Sequence, residues 1–335
     1  MLFDMNDYLY PEIKIQKNYI PILYLDACAL IEFSKLTENK CTNEHKQELG
    51  ALYDTLLFLM QEKRILCPSG NQLQEMGVSR GREKAREFLF QFTNATFRNP
   101  WVIEDAQMDL GYQSFSAKAE TILFDCNFVL DKKTFPGSSF FVHASPIYNQ
   151  SLLTEFKKEK LNGVARLNEM KENGCISQNI DSQLKNELES DFWYFLRLLE
   201  HYKDSFESSI RCLDELHSVY RRTGTYSDDV SDPKYISAVE NHNRFLLSNY
   251  HHKLPCKWIE AVLWACRMQR PNKIQQGDVL DTVWAAAYFP FIDYVVTDGA
   301  FCDLLQKSGL AEQYGVKVYS FRTLDTLLKE LNSLS

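Results

Sequence analysis

The chain predicts an α/β protein whose two ends fold together around a parallel sheet, with a mostly helical segment inserted between them. Short apolar, β-rich runs alternate with stretches of helical periodicity in residues 1–98 and again in residues 256–335. Residues 99–255 have another character: mixed at first, then helical and charge-rich, with no internal repeat and no low-complexity tract. One domain built from both ends and interrupted by an insertion follows from those two observations.

The elements read off in order. Ile20–Leu25 is an apolar run ending in Asp26, with Pro21 suited to a strand's first residues rather than its middle. Ala29, Leu30, Phe33 and Leu36 then recur at helical spacing. A longer amphipathic helix is expected from about Asn43 to Glu62, with Leu49, Leu52, Leu56, Leu57 and Met60 inward. A short strand, Arg64–Cys67, is stopped by Pro68-Ser69-Gly70, and Ser69 or Asn71 would cap the helix carrying Leu73, Glu75 and Met76. In the middle, Leu152–Arg222 is helical, Thr223–Pro233 is a polar loop, and Ile236–Tyr250 and Trp258–Met268 are helices. Toward the end, a helix opens at Gly277-Asp278 and stops at Pro290, and Ile292–Thr297 is a buried strand finishing at Asp298. A helix near Phe301–Leu310, a strand Val316–Tyr319 and a helix Thr323–Leu331 close the pattern.

Composition excludes several classes. With 335 residues, 45% hydrophobic and 24% charged, the chain is ordinary for a globular protein. Its most apolar stretches, Ile20–Phe33 and Val279–Val296, are broken by acids and a proline, so no membrane span is expected. The opening MLFDMNDYLYPE has acids where a signal peptide needs basic residues, and a cytoplasmic location is expected. Nine scattered cysteines without a C-x-x-C pair suit small core residues in a reducing compartment. The seven histidines show no metal-ligand spacing and are expected on the surface. A net charge of −8 argues against a broad DNA-coating surface, so nucleic-acid binding must rest on local patches.

The chemistry lies in the carboxylates. Parallel α/β sheets gather ligands beyond the C-terminal ends of their strands. Asp26 and Asp298 end strands there, Glu75 follows a third, and Asp278 and Asp281 begin the helix leading to the strand of Asp298. Hard oxygen donors suit Mg²⁺ or Mn²⁺. Two such ions about 4 Å apart activate a water and steady the leaving oxygen of a phosphodiester. The bland alternative is structural: Asp278 as a helix N-cap, with Asp281 favoured by the helix dipole.

At these residues the sequence resembles the PIN-domain nuclease family. ILYLDACALIEF is similar to its opening strand and Asp, ILCPSGNQLQEM to its strand, Pro-Ser and helical Glu, and GDVLDTVWAAAYFPFIDYVVTDGAF to its closing Asp-helix-strand-Thr-Asp signature. The resemblance implies a three-layer α/β/α domain with a central parallel sheet. It also implies a catalytic, metal-holding set of Asp26, Glu75, Asp281 and Asp298, with Asp278 as a fifth member. Thr297 would orient the last acid or a metal-bound water. The implied activity is hydrolysis of single-stranded RNA, ahead of DNA or structured substrates.

Arg80, Arg82, Lys84 and Arg86 form the densest basic cluster and lie just beyond Glu75, where they could hold flanking phosphates or simply pair with Glu83 and Glu87. Arg267, Arg270 and Lys273 make a weaker patch, and Phe192, Trp193 and Tyr194 could stack on bases or pack in the core. A haloacid-dehalogenase-type phosphatase would need a second Asp where Cys28 stands, and no P-loop is present. The rival from another class is an idle scaffold that uses the helical insertion to bind a second copy or another protein.

Overall fold

The computed structural model describes residues 10–42, 44–72, 76, 83–131, 164–173, 179–196, 222–224 and 232–334. They form a mixed α/β structure, mostly helical, with short parallel strands. The strands are β1 (Glu12–Gln16), β2 (Leu23–Leu25), β3 (Pro68–Ser69), β4 (Ala95–Thr96), β5 (Thr121–Asp125), β6 (Tyr294–Val296) and β7 (Lys317–Tyr319). The helices of the first part are α1 (Ala27–Thr37), α2 (Lys46–Gln61), α3 (Glu83–Phe92) and α4 (Pro100–Ala117). Next come α5 (Ile180–Leu188), α6 (Pro233–Leu246), α7 (Asn249–His252) and α8 (Pro255–Gln269). The last are α9 (Gln276–Tyr288), α10 (Gly299–Lys307), α11 (Leu310–Tyr314) and α12 (Leu324–Asn332).

β2 pairs in parallel with β6, Leu23 opposite Tyr294 and Leu25 opposite Val296, and β6 pairs in parallel with β7. On the other side of β2 a parallel bridge joins Ile22 to Leu66, and β3 pairs in parallel with β4. β1 and β5 form a separate parallel pair. Every residue of β2 is buried, as expected of a strand covered on both faces. Alternation sorts them into two cores. Ile22, Tyr24, Leu66 and Val295 pack with Phe97, Trp284 and Tyr288 on one face. Leu23, Leu25, Cys67 and Val296 pack with Leu30, Leu52, Leu89 and Leu327 on the other. Residues of the expected insertion join the first of these: Ile103 and Tyr112 of α4, Phe245 of α6 and Leu254 share it with Ile259 and Trp284. That core is therefore continuous across positions 98 and 255. The segment also braces the loop before α9, where Asn168 exchanges hydrogen bonds with Ile274 (3.0 and 2.8 Å) and Lys171 donates to the carbonyls of Arg267 and Asn272.

Several expectations need correction. The strand expected at Arg64–Cys67 is displaced: only Leu66 bridges, to Ile22, and the strand is Pro68–Ser69, because the bonds that join it to β4 come from Phe97 N to Ser69 O and Asn94 N to Cys67 O and need no proline N–H. Ser69 and Asn71 are engaged elsewhere: Ser69 Oγ lies 3.3 Å from Thr96 Oγ1 and Asn71 Nδ2 reaches toward Leu280 O, while most of the helix expected after them lies outside the described residues. In α2 the fourth buried leucine is Leu59, while Leu57 and Met60 are only partly buried. The histidines are not all on the surface. His242 and His251 are buried among aromatic rings, and His251 Nε2 lies 3.2 Å from Asp191 Oδ2. Trp193 and Tyr194 are exposed, whereas Phe195 is in the core.

Asn94 is the clip that sets β3 in place. Its Oδ1 accepts from Cys67 N (2.7 Å) and its Nδ2 donates to Ile65 O (3.0 Å). Asn94→Ala strips both bonds from half-buried backbone and is expected to lower unfolding free energy by about 2 kcal/mol in urea denaturation. An unchanged midpoint would show that β3 holds without it.

Candidate active site

Asp26 stands where β2 ends, and backbone pairing fixes it there: its N–H donates to Val296 O at 2.9 Å. It is also the N-cap of α1, with Oδ1 accepting from Ala27 N (2.7 Å). Its Oδ2 accepts from Thr297 Oγ1 (2.7 Å), with Cys28 Sγ at 3.9 Å. The carboxyl is 4% exposed. Burial pushes it up to about 6, and the neighbouring Asp298 pushes the same way against the hydrogen bonds of Thr297 and Ala27.

Asp298 ends the adjacent strand in the same manner. It caps α10 through Oδ1, which accepts from Ala300 N (2.7 Å) and Phe301 N (3.1 Å). Two neighbouring parallel strands thus deliver two acids to one edge, each also opening a helix. Thr297 departs from its expected role. Fully buried, it donates to Asp26 rather than to Asp298, so it orients the first acid.

Asp278 and Asp281 lie on α9. Asp278 is the N3 residue of a capping box, not the N-cap: its Oδ2 accepts from Gln275 N at 2.7 Å. Both acids face Arg267 of α8. Arg267 Nε is 3.3 Å from Asp278 Oδ1, and Nη2 is 3.6 Å from Asp281 Oδ2. Nη1 donates to the Asp278 carbonyl and to Thr282 Oγ1. The guanidinium lies over the Phe301 ring (5.2 Å) and near Trp264 (5.6 Å). Burial lowers the arginine's pKa, and Asp278, Asp281 and Asp298 oppose that fall, so one cation feels three of the acids. The sequence placed Arg267 in a surface patch; it is 4% exposed because those acids and rings enclose it.

Two side chains missing from the expected set tie the third strand to the acids. Gln72 Nε2 donates to Leu25 O (2.9 Å), immediately before Asp26. Asn71 Nδ2 points to Leu280 O (3.5 Å), immediately before Asp281. Both amides are buried, and neither amide oxygen has a hydrogen-bond partner among the described residues. A polar pair just after a strand end was the only available signal for them.

No protein family, no curated protein and no solved structure matches this chain.

The remaining expected residues divide. Glu75, Arg80 and Arg82 lie outside the described residues, as does the side chain of Arg86. Lys84 is exposed and pairs with Glu38 of α1 at 2.8 Å, so its described bond is to protein. Among the described residues no three His, Cys, Asp or Glu side chains gather closely enough to form a metal-binding group. The donor chemistry nevertheless fits a divalent ion. Asp26 and Asp298 are hard oxygen donors at one strand edge, and the raised Asp26 pKa is that of a buried acid lacking a counter-charge. No helix among the described residues is long and apolar enough to cross a membrane.

Proposed function

We propose that the protein is a metal-dependent nuclease of the PIN-like kind, hydrolysing phosphodiester bonds of single-stranded RNA with Mg²⁺ or Mn²⁺. One observation carries this reading. Acids separated by more than half the chain, Asp26 and Asp298, end neighbouring parallel strands at one edge, and Asp281 is tied in through Arg267. RNA, rather than DNA, follows from the family resemblance. The proposed set also includes Glu75, with Arg80, Arg82 and Arg86 beside it to hold flanking phosphates. A cytoplasmic setting belongs to the proposal too, in keeping with free thiols at every described cysteine.

A bound divalent ion would lower the pKa of a coordinated water and stabilise charge on the phosphate. The chain's own residues do the rest. Asp26 and Asp298 would hold the ion, Thr297 keeps Asp26 oriented through its hydroxyl, and Arg267 fixes Asp281 and the start of α9. Gln72 holds the backbone that presents Asp26.

A second reading has its own observation. Asp278 and Asp281 are already engaged by a buried arginine, which suits a scaffold whose acids are idle and whose middle segment meets a protein partner or a second copy. Labelled single-stranded RNA and DNA, incubated with Mn²⁺, Mg²⁺ or EDTA, separate the two. Cleavage of RNA that EDTA stops is the expected result. Intact RNA and DNA, together with no Mn²⁺ binding, would leave the scaffold reading.

A further inference from the structure

Arg267 is a costly residue to bury. A guanidinium away from water must be balanced by charge and hydrogen bonds, or it destabilises the fold by several kcal/mol. Here it is balanced on the acids that the resemblance assigns to metal. Nε faces Asp278, Nη2 faces Asp281, and Nη1 is fixed by the Asp278 carbonyl and the Thr282 hydroxyl. The Thr282 hydroxyl itself donates to the Asp278 carbonyl (2.8 Å), so Nη1 joins a triangle at the first turns of α9, while Nε and Nη2 meet the acids as ion pairs without a hydrogen bond. Phe301 and Trp264 cover its planar faces, and the middle segment closes the surround through Lys171, which donates to the Arg267 carbonyl. Among the described residues Asp26 and Asp298 have no ion pair, and only Asp298 lies within the field of Arg267. Asp26 and Asp298 receive hydroxyl and backbone donors, and Asp298 Oδ2 has no partner among the described residues.

We propose that Arg267 is a permanent internal cation of the acidic site, engaging Asp278 and Asp281, so that the site takes one divalent ion, at Asp26 and Asp298. This rests on the metal reading above and deepens it. The place of the cation decides the number. Asp278 and Asp281 share a fixed guanidinium, whereas Asp26 and Asp298 are met by hydroxyl and backbone donors. A second ion seated at Asp281 would lie against the guanidinium, where like charges repel with little water between them. The network also allows the strand edge and α9 to fold before any ion arrives.

Mn²⁺ titrated into the full chain, followed by calorimetry and by loss of the free-ion paramagnetic resonance signal, tests this without any activity measurement. One ion per chain is expected in the wild type and in Arg267→Lys. Arg267→Met should expose Asp278 and Asp281 and raise the count to two. Asp298→Asn should weaken the wild-type ion more than tenfold, whereas Asp278→Asn should leave its affinity within about twofold. Two ions in the wild type would overturn the proposal and leave the metal reading intact. No ion in the wild type would overturn both. If Arg267→Met does not fold, the wild-type count and the contrast between Asp298→Asn and Asp278→Asn still decide.

Discussion

Asp26→Asn is expected to reduce metal-dependent cleavage by more than about 100-fold while the protein stays folded. Losing even an outer partner of a metal ligand costs about 10–100-fold, and Asp26 is placed to be a ligand itself. The fold should survive because asparagine can keep both local bonds. Its carbonyl can accept from Ala27 N, and Thr297 Oγ1, now facing an amide NH₂, can turn from donor to acceptor. Stability carries an independent signature. The wild-type carboxyl, with its pKa raised from 3.8 to about 6, keeps its proton longer when folded than when unfolded. In the ion-free protein its contribution therefore falls as pH rises from about 4 to about 6, by roughly 3 kcal/mol, and stays lost above that. Asparagine lacks this fall. Added Mn²⁺ should raise the melting temperature of the wild type at pH 7 and leave that of Asp26→Asn unmoved. Equal cleavage rates in the two proteins would show that the chemistry lies elsewhere.

What the sequence disclosed about this site follows from what local pattern can encode. Asp26 and Asp298 were legible because each ends an apolar run and starts a helical periodicity, and those runs became β2 and β6. The short strands near 294–296 and 317–319 were legible for the same reason. Arg267 was not. Its role depends on α8 packing against α9, a contact between helices that no spacing within α8 announces, so a buried counter-charge looked like one more surface base. Thr297 shows the same limit in reverse. The side chain beside Asp298 in sequence points across the strand gap to Asp26, because neighbouring parallel strands place these residues side by side. Gln72 and Asn71 act through backbone carbonyls of remote elements, and a polar pair after a strand end does not say which carbonyls those are. The joint core of α4, α6 and α8 with the terminal elements escaped detection likewise, since composition marks a change of character but not which faces meet.

The buried histidines, which the sequence would have left in solvent, set the other large expectation: His242 should remove stability as pH falls below 6.5. His242 is 2% exposed on α6, its ring against Phe195 (5.0 Å), Tyr112 and Phe245, and its Nδ1 has no hydrogen-bond partner. Burial, reinforced by the positive Arg222 and by His251 and only partly opposed by Asp191, pulls its pKa from 6.5 down to about 3. Between those values the unfolded chain takes up a proton that the native state refuses, so stability declines as pH falls, at about 1.4 kcal/mol per pH unit. His252 is lowered to about 4, and His251 is lowered too, both by burial first, and they act in the same direction. Asp26, Glu260 and Glu187, whose carboxyl pKa values burial raises, act oppositely, so the His242 contribution is read from the difference between wild type and variant. His242→Phe keeps a flat ring among aromatic neighbours and removes the proton acceptor. Urea denaturation from pH 7.5 to 4.5 should show a shallower decline for this variant, by about one proton, with the two proteins nearest in their pH response above pH 7. Parallel curves would mean that the native state admits the proton, and that the cavity of about 210 Å³ beside His242, lined by Glu104, Asp191 and Lys257, solvates the imidazolium.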